Sequence, residues 1–234
     1  MPVFGPSQIS ADAHDGEEAG DTTWYLVGQG AYGAVVGDVA GTSSDMGMLW
    51  DNVTIPKGVT ILTASVELFV KALAGTGDIV TRMQGFDVDD MSPFGASNRP
   101  SQIAQTTALV DRTYVYTTDL VDETTLVLDD CAAIVQEIVD RASWASGNAL
   151  GLVLKDNGSA SGERVQFHDY SFGAGNAAKI TITYTVAATV DLQLPALDLQ
   201  IYAGSIGGGS GSTPAEAIIV PTGSVQNLAL GISL

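Results

Sequence analysis

Cysteine is nearly absent: Cys131 is the only one in 234 residues. A lone thiol excludes an internal disulfide framework and any zinc cluster built on cysteines, since both need at least two sulfurs. Histidine is almost as scarce, with His14 and His168 alone offering imidazole chemistry. Basic residues number 9 against 27 acidic ones, a formal charge of −18, and no basic run exists that would neutralise several phosphates together. Nucleic acid and anionic membrane surfaces are therefore not expected as partners. No stretch approaches the roughly 18 apolar residues of a membrane span. The start, Met1-Pro2-Val3-Phe4-Gly5-Pro6, lacks the basic and apolar regions of a secretory signal, so export by the usual route is not expected if Met1 is the natural first residue.

Glycine and apolar residues are plentiful instead. With 27 Gly, 8 Pro, 45% hydrophobic and 15% charged residues, the chain has the material for one large core and favours turns over long helices. Charge divides it. Residues 1–56 hold no Lys or Arg but carry Asp12, Asp15, Glu17, Glu18, Asp21, Asp38, Asp45 and Asp51, and all basic residues lie between Lys57 and Lys179. After Tyr184 only Asp191, Asp198 and Glu216 are charged. The expected organisation is a domain over residues 1–186, including an N-terminal arm, followed by an extended tail over 187–234.

The body reads as short strands. Val59 to Val70 is β-branched and largely alternating, with Ile61, Val66, Leu68 and Val70 on the core side and Pro56-Lys57-Gly58 as the preceding turn. Ile79 to Phe86, Leu109 to Tyr116, Thr124 to Leu128, Leu150 to Lys155, Arg164 to Phe167 and Ile180 to Val186 repeat the pattern. Turn residues such as Asp156-Asn157-Gly158 separate them. Many short strands punctuated this way predict an all-β, antiparallel sandwich. From Asp129 to Trp144 the spacing of Ala132, Ala133, Ile134, Val135, Ile138, Val139 and Ala142 predicts one helix of about three turns at an end of the sandwich.

The tail alternates strongly. Val190, Leu192 and Leu194 share one face, as do Leu197, Leu199 and Ile201 after Pro195, while Gln193, Asp198 and Gln200 face away. Gly207-Gly208-Gly209-Ser210-Gly211-Ser212 reads as a flexible hinge before the apolar runs Ala217 to Val220 and Leu228 to Leu234. Strands this apolar need a second surface.

Three blocks of the body carry a resemblance. Asp51-Asn52-Val53-Thr54-Ile55-Pro56-Lys57-Gly58-Val59-Thr60-Ile61 resembles the opening of a jelly-roll family related to the DNRLRE modules. Ile134-Val135-Gln136-Glu137-Ile138-Val139-Asp140-Arg141 with Trp144 and Ser146-Gly147-Asn148-Ala149-Leu150 is the second block, and Lys179-Ile180-Thr181-Ile182-Thr183-Tyr184 the third. The resemblance implies a jelly-roll β-sandwich of the kind found in bacterial surface proteins and phage structural proteins, usually without a catalytic centre. Leu192-Gln193-Leu194-Pro195-Ala196-Leu197-Asp198-Leu199 and the glycine-rich run after it look like segments of phage virion and tail-associated proteins.

Chemistry-bearing residues are few. Asp12-Ala13-His14-Asp15-Gly16-Glu17-Glu18 has cation-binding residue types but lacks calcium-loop spacing and its terminal Glu, so a solvated acidic loop is expected and no metal. His168 and Asp169 are adjacent in a strand-like segment and would point to opposite faces, which predicts a structural His. No nucleophile elbow, phosphate loop or zinc-protease helix is present, and Gly28-Gln29-Gly30-Ala31-Tyr32-Gly33 lacks the spacing and following helix of a dinucleotide loop. Trp24, Tyr25, Tyr32 and Trp50 have the rings to stack on sugars, so weak glycan contact stays open beside core or interface packing. Cys131 reads as a small buried hydrophobe.

No catalytic residue and no cofactor is expected. The sequence and the resemblance together predict a non-enzymatic bacteriophage virion protein, a capsid decoration, collar or fibre subunit. Its partners would be copies of itself and other virion proteins, joined through Leu192, Leu194, Leu197, Leu199, Ile201, Leu228, Leu230 and Ile232. The alternatives, placed outside the cell or on its surface, are a secreted carbohydrate-binding or adhesive module and a strand-donating filament subunit.

Overall fold

Strands begin well before the first lysine. β1 (Val3–Gln8), β2 (Asp15–Ala19), β3 (Thr23–Tyr25), β4 (Ala34–Val39) and β5 (Thr42–Trp50) all lie in the acidic segment 1–56 that has no Lys or Arg. They are followed by β6 (Thr60–Ala74), β7 (Ile79–Phe86), β8 (Gln105–Tyr114), β9 (Thr125–Val127), helix α1 (Ala132–Val139), β10 (Leu150–Asp156), β11 (Arg164–Phe167), the one-turn helix α2 (Tyr170–Gly173) and β12 (Lys179–Thr185). The computed structural model describes residues 1–20, 22–25, 33–116 and 118–186. The chain divides into two units, Met1–Ala187 and Ala188–Leu234. The second lies outside the described residues, and so do the tail strands and hinge read from the sequence.

All strand pairs are antiparallel, in the order β1-β12-β6-β11-β4-β5-β10-β7-β8, with β2 and β3 added beside β5 and β9 beside β6. The long strand β6 makes the sheet curl into two layers. Its first half pairs with β12, from Thr60↔Thr185 to Glu67↔Lys179, and its second half with β11, where Leu73 faces Val165. Alternation does the rest: Ala64, Val66, Leu68 and Val70 are fully buried, while the alternate residues Ser65, Glu67, Phe69 and Lys71 are only partly covered. The fold is thus an all-β antiparallel sandwich, as the punctuated strand pattern predicts.

β5 and β10 are apolar on both faces because both faces are covered. Met46, Met48, Trp50, Leu150, Leu152 and Leu154 enter the main core, whereas Leu49 and Val153 join a smaller cluster with Phe86, Met91, Phe94 and Ala149. Trp24, Val88 and Ile103 close that cluster from outside. Phe94 approaches so closely that a Cβ on Gly47 would lie 2.8 Å from its ring.

The expected helix is present but shorter, at Ala132–Val139. It bridges the two layers through polar side chains that stand in for strand partners. Gln136 accepts from the Ile61 N–H at 2.7 Å and donates to the Val59 carbonyl at 3.1 Å, and Asp130 accepts from the Ala64 N–H at 2.8 Å. On the other layer, Glu137 accepts from the N–H groups of Thr107 and Ala108, each at 2.8 Å. Ile134, Val135, Ile138 and Val139 fill the gap beneath. The helix therefore satisfies strand backbone that would otherwise be left unpaired.

Candidate functional site

All eight residues expected to form the assembly interface, Leu192, Leu194, Leu197, Leu199, Ile201, Leu228, Leu230 and Ile232, lie outside the described residues. What the first unit shows is the surface at the end of β12. Val186 is 52% exposed, and Val3, Leu62 and Met1 are also exposed. They belong together: Thr183 pairs with Val3 on one side and Thr63 on the other, and Tyr184 donates its N–H to the Pro2 carbonyl at 3.1 Å. Among the described residues β1 pairs only with β12; it contains Pro6, which has no N–H, and its register slips between Phe4 and Ser7. Both features blunt an edge against random strand addition.

The acidic segment near the N-terminus is not a solvated loop. Asp15 begins β2, and both Asp15 and Glu18 are buried. Glu18 is fully partnered, accepting from Arg99 Nε at 2.9 Å, the Ser101 N–H at 2.7 Å and the Ser101 hydroxyl at 2.6 Å. Asp15 accepts from the Tyr170 N–H at 2.9 Å, and burial, followed by the nearby Asp169 charge, pushes its carboxyl up to about 8. Burial also raises Glu17. Among the described residues no group of three or more His, Cys, Asp or Glu is arranged to hold a metal ion.

A serine, a histidine and an aspartate do meet on the surface, but in the wrong order for nucleophilic catalysis. The Ser10 hydroxyl lies 3.3 Å from His14 Nδ1 and 3.3 Å from each oxygen of Asp51. A working triad places the imidazole between the hydroxyl and the carboxylate, so that the acid orients the base. Here the hydroxyl sits in the middle, and Asp51 orients the serine.

His168 is packed edge-on between Phe69, at 4.9 Å, and Phe172, at 4.7 Å, with neither ring nitrogen hydrogen-bonded. Burial lowers its pKa, which favours the neutral ring. Asp169 turns away to cap α2. Cys131 is fully buried, its sulfur 3.3 Å from the Ala64 carbonyl, and burial raises its thiol to about 12.

Of the four aromatic residues with stacking rings, Trp50 is buried with its indole N–H on the Ala178 carbonyl at 3.4 Å. Trp24 packs on Phe94 with ring centroids 5.0 Å apart. Tyr32 and most of the Gly28-to-Gly33 run lie outside the described residues. Tyr25 is 46% exposed and borders an open depression of about 560 Å³ between the β2–β3 and β4–β5 turns. Thr22, Thr23, Thr42 and Ser43 line it, a polar wall that the sequence reading missed because the two turns are distant in the chain.

No family model and no curated protein matches the sequence.

Proposed function

We propose that this chain is a non-enzymatic structural protein of a bacteriophage particle, a surface module such as a capsid decoration, collar or fibre subunit. In this reading residues 187–234 join one copy to the next or to other virion proteins. The observation that carries it is the group of exposed apolar residues, Met1, Val3, Leu62 and Val186, at the end of β12 from which the alternating apolar tail departs. Exposed apolar residues gathered on neighbouring strands mark surfaces that are covered in an assembly. The burial of His168 between two phenylalanine rings, the burial of Cys131, the partners of Glu18, and the order of Ser10, His14 and Asp51 support a scaffold over an enzyme. The resemblance of the body to DNRLRE-related jelly-roll modules points the same way. Gene context tests the virion class: portal, terminase or tail genes beside the coding sequence are expected, and a neighbourhood of export and adhesin genes would overturn it.

The depression beside Tyr25 favours a second reading, a carbohydrate-binding or adhesive module. Hydroxyl groups beside an exposed ring suit a neutral, polyhydroxylated ligand. Glycan-array binding that disappears in Tyr25→Ala, by a protein that does not self-associate, would establish it over the first.

A further inference from the structure

The two layers of the sandwich differ in what they turn outward. On β5 and β10, Leu49 and Val153 join Met91 and Phe94 in a cluster that the same chain closes with Trp24. On β6 and β12, Ala64, Val66, Ile180 and Ile182 are fully buried, so Thr63, Ser65, Thr181 and Thr183 stand on the opposite, outward face. Val3 lies opposite Thr183 on one side of this face and Val127 opposite Glu67 on the other, and they are 54% and 57% exposed.

This face is nearly free of net charge. Over β1, β9, β12 and the part of β6 from Thr60 to Glu67, the only charged residues are Glu67 and Lys179, and they are opposite one another in register. Copies of a chain with a formal charge of −18 repel one another wherever acids face acids. A balanced face of hydroxyls, methyl groups and valines is where a second chain approaches without that cost. The two ends of the strand path are guarded instead. β1 carries Pro6 and a register slip. β8 carries Asp111 and Arg112 within the strand, and Glu137 takes the N–H groups of Thr107 and Ala108.

We propose that the outward face of β1, β12, β6 and β9 receives residues 190–201 of a neighbouring copy, an inference that rests on the assembly reading above and names its docking surface. The charge of the occupant matches: of the 27 acidic residues only Asp191, Asp198 and Glu216 follow Val186, and no basic residue does. Its alternating leucines need an apolar cover that a charged surface does not supply. The chain leaves β12 through Val186, Ala187, Ala188, Thr189 and Val190, with no Gly, Pro, Asn or Asp. Reversal onto its own face calls for such turn residues, so the segment runs on to the next copy.

Sedimentation of the full chain at several concentrations tests the surface. Thr63→Glu places a charge on the exposed face and is expected to raise the oligomer's dissociation constant at least about tenfold, with the unfolding midpoint retained. Thr113→Glu, exposed on β8, adds the same charge elsewhere and should leave association unchanged. Should Thr63→Glu fold poorly, cysteine pairing decides. Full-length Ser65→Cys mixed with full-length Ala196→Cys under mild oxidation can form a mixed disulfide only between copies, and Cys131 is fully buried. The mixed disulfide is expected with Ser65→Cys and lost when Thr113→Cys replaces it. Oligomers as tight in Thr63→Glu as in the wild type, or a mixed disulfide that is absent or forms equally with Thr113→Cys, overturn the docking surface while the joining role of the tail stands. A full-length wild type that stays monomeric overturns both.

Discussion

Arg99 donates from Nε to Glu18 Oε1 at 2.9 Å across 81 positions of sequence, and the Glu18 side chain is only 1% exposed. This pair, with Ser101, fastens the turn at Pro100–Gln102 onto β2. Glu18→Ala strips a partly buried guanidinium and a backbone N–H of their acceptor and is expected to cost about 3–5 kcal/mol in urea unfolding. A cost under about 1 kcal/mol, the range of an exposed pair, would show that the turn finds other partners.

Helix α1 is wedged between the layers, so its apolar face tolerates neither loss nor addition. Ile138→Ala is expected to lower stability by about 2–5 kcal/mol. Gly85→Ala is expected to cost about 1–3 kcal/mol, because its new Cβ would lie 2.6 Å from Ile138 Cδ1 and 2.8 Å from Ile134 Cγ2. Combining them removes the contact with Ile138 while leaving that with Ile134, so the double variant should lose less than the sum of the singles. Strict additivity in denaturant titrations would contradict the packing.

Cys131 should not react with thiol reagents in the native protein at neutral pH, since it is fully buried and its thiol is raised to about 12. Labelling monitored by mass spectrometry is expected only once denaturant unfolds the chain. Rapid native labelling would mean that the start of α1 opens locally.

The strands were legible where alternation is strong. Ile79–Phe86 and Arg164–Phe167 follow directly from their apolar and polar spacing, and Leu150–Asp156 from its run of aliphatic residues. The first five strands were not, because glycines and acids dilute their pattern. Asp15 and Glu18 look like solvent-facing charges until Tyr170, Arg99 and Ser101 reach them from more than 80 positions away. No local pattern encodes such partners. The same holds for the wall beside Tyr25, and for Gln136 and Glu137, whose roles depend on which strand edges the fold leaves open.

Trp50→Ala is expected to act through stability alone, costing about 3–5 kcal/mol, because its ring is enclosed in the main core. Tyr25→Ala should leave the unfolding midpoint nearly unchanged. Sugar binding lost in Trp50→Ala at full native stability would contradict this division between core and surface.

Residues 187–234 are the proposed means by which one copy joins the next. Burying Leu192, Leu194, Leu197, Leu199 and Ile201 would yield about 1.5–3 kcal/mol each before ordering costs, enough to hold a subunit in place. Sedimentation velocity of the full chain beside a chain ending at Val186, with thermal unfolding of both, measures this directly. The shortened chain should keep its melting transition and sediment as a monomer, while the full chain forms oligomers. Equal sedimentation of the two, or a shortened chain that no longer folds, would contradict the assembly role.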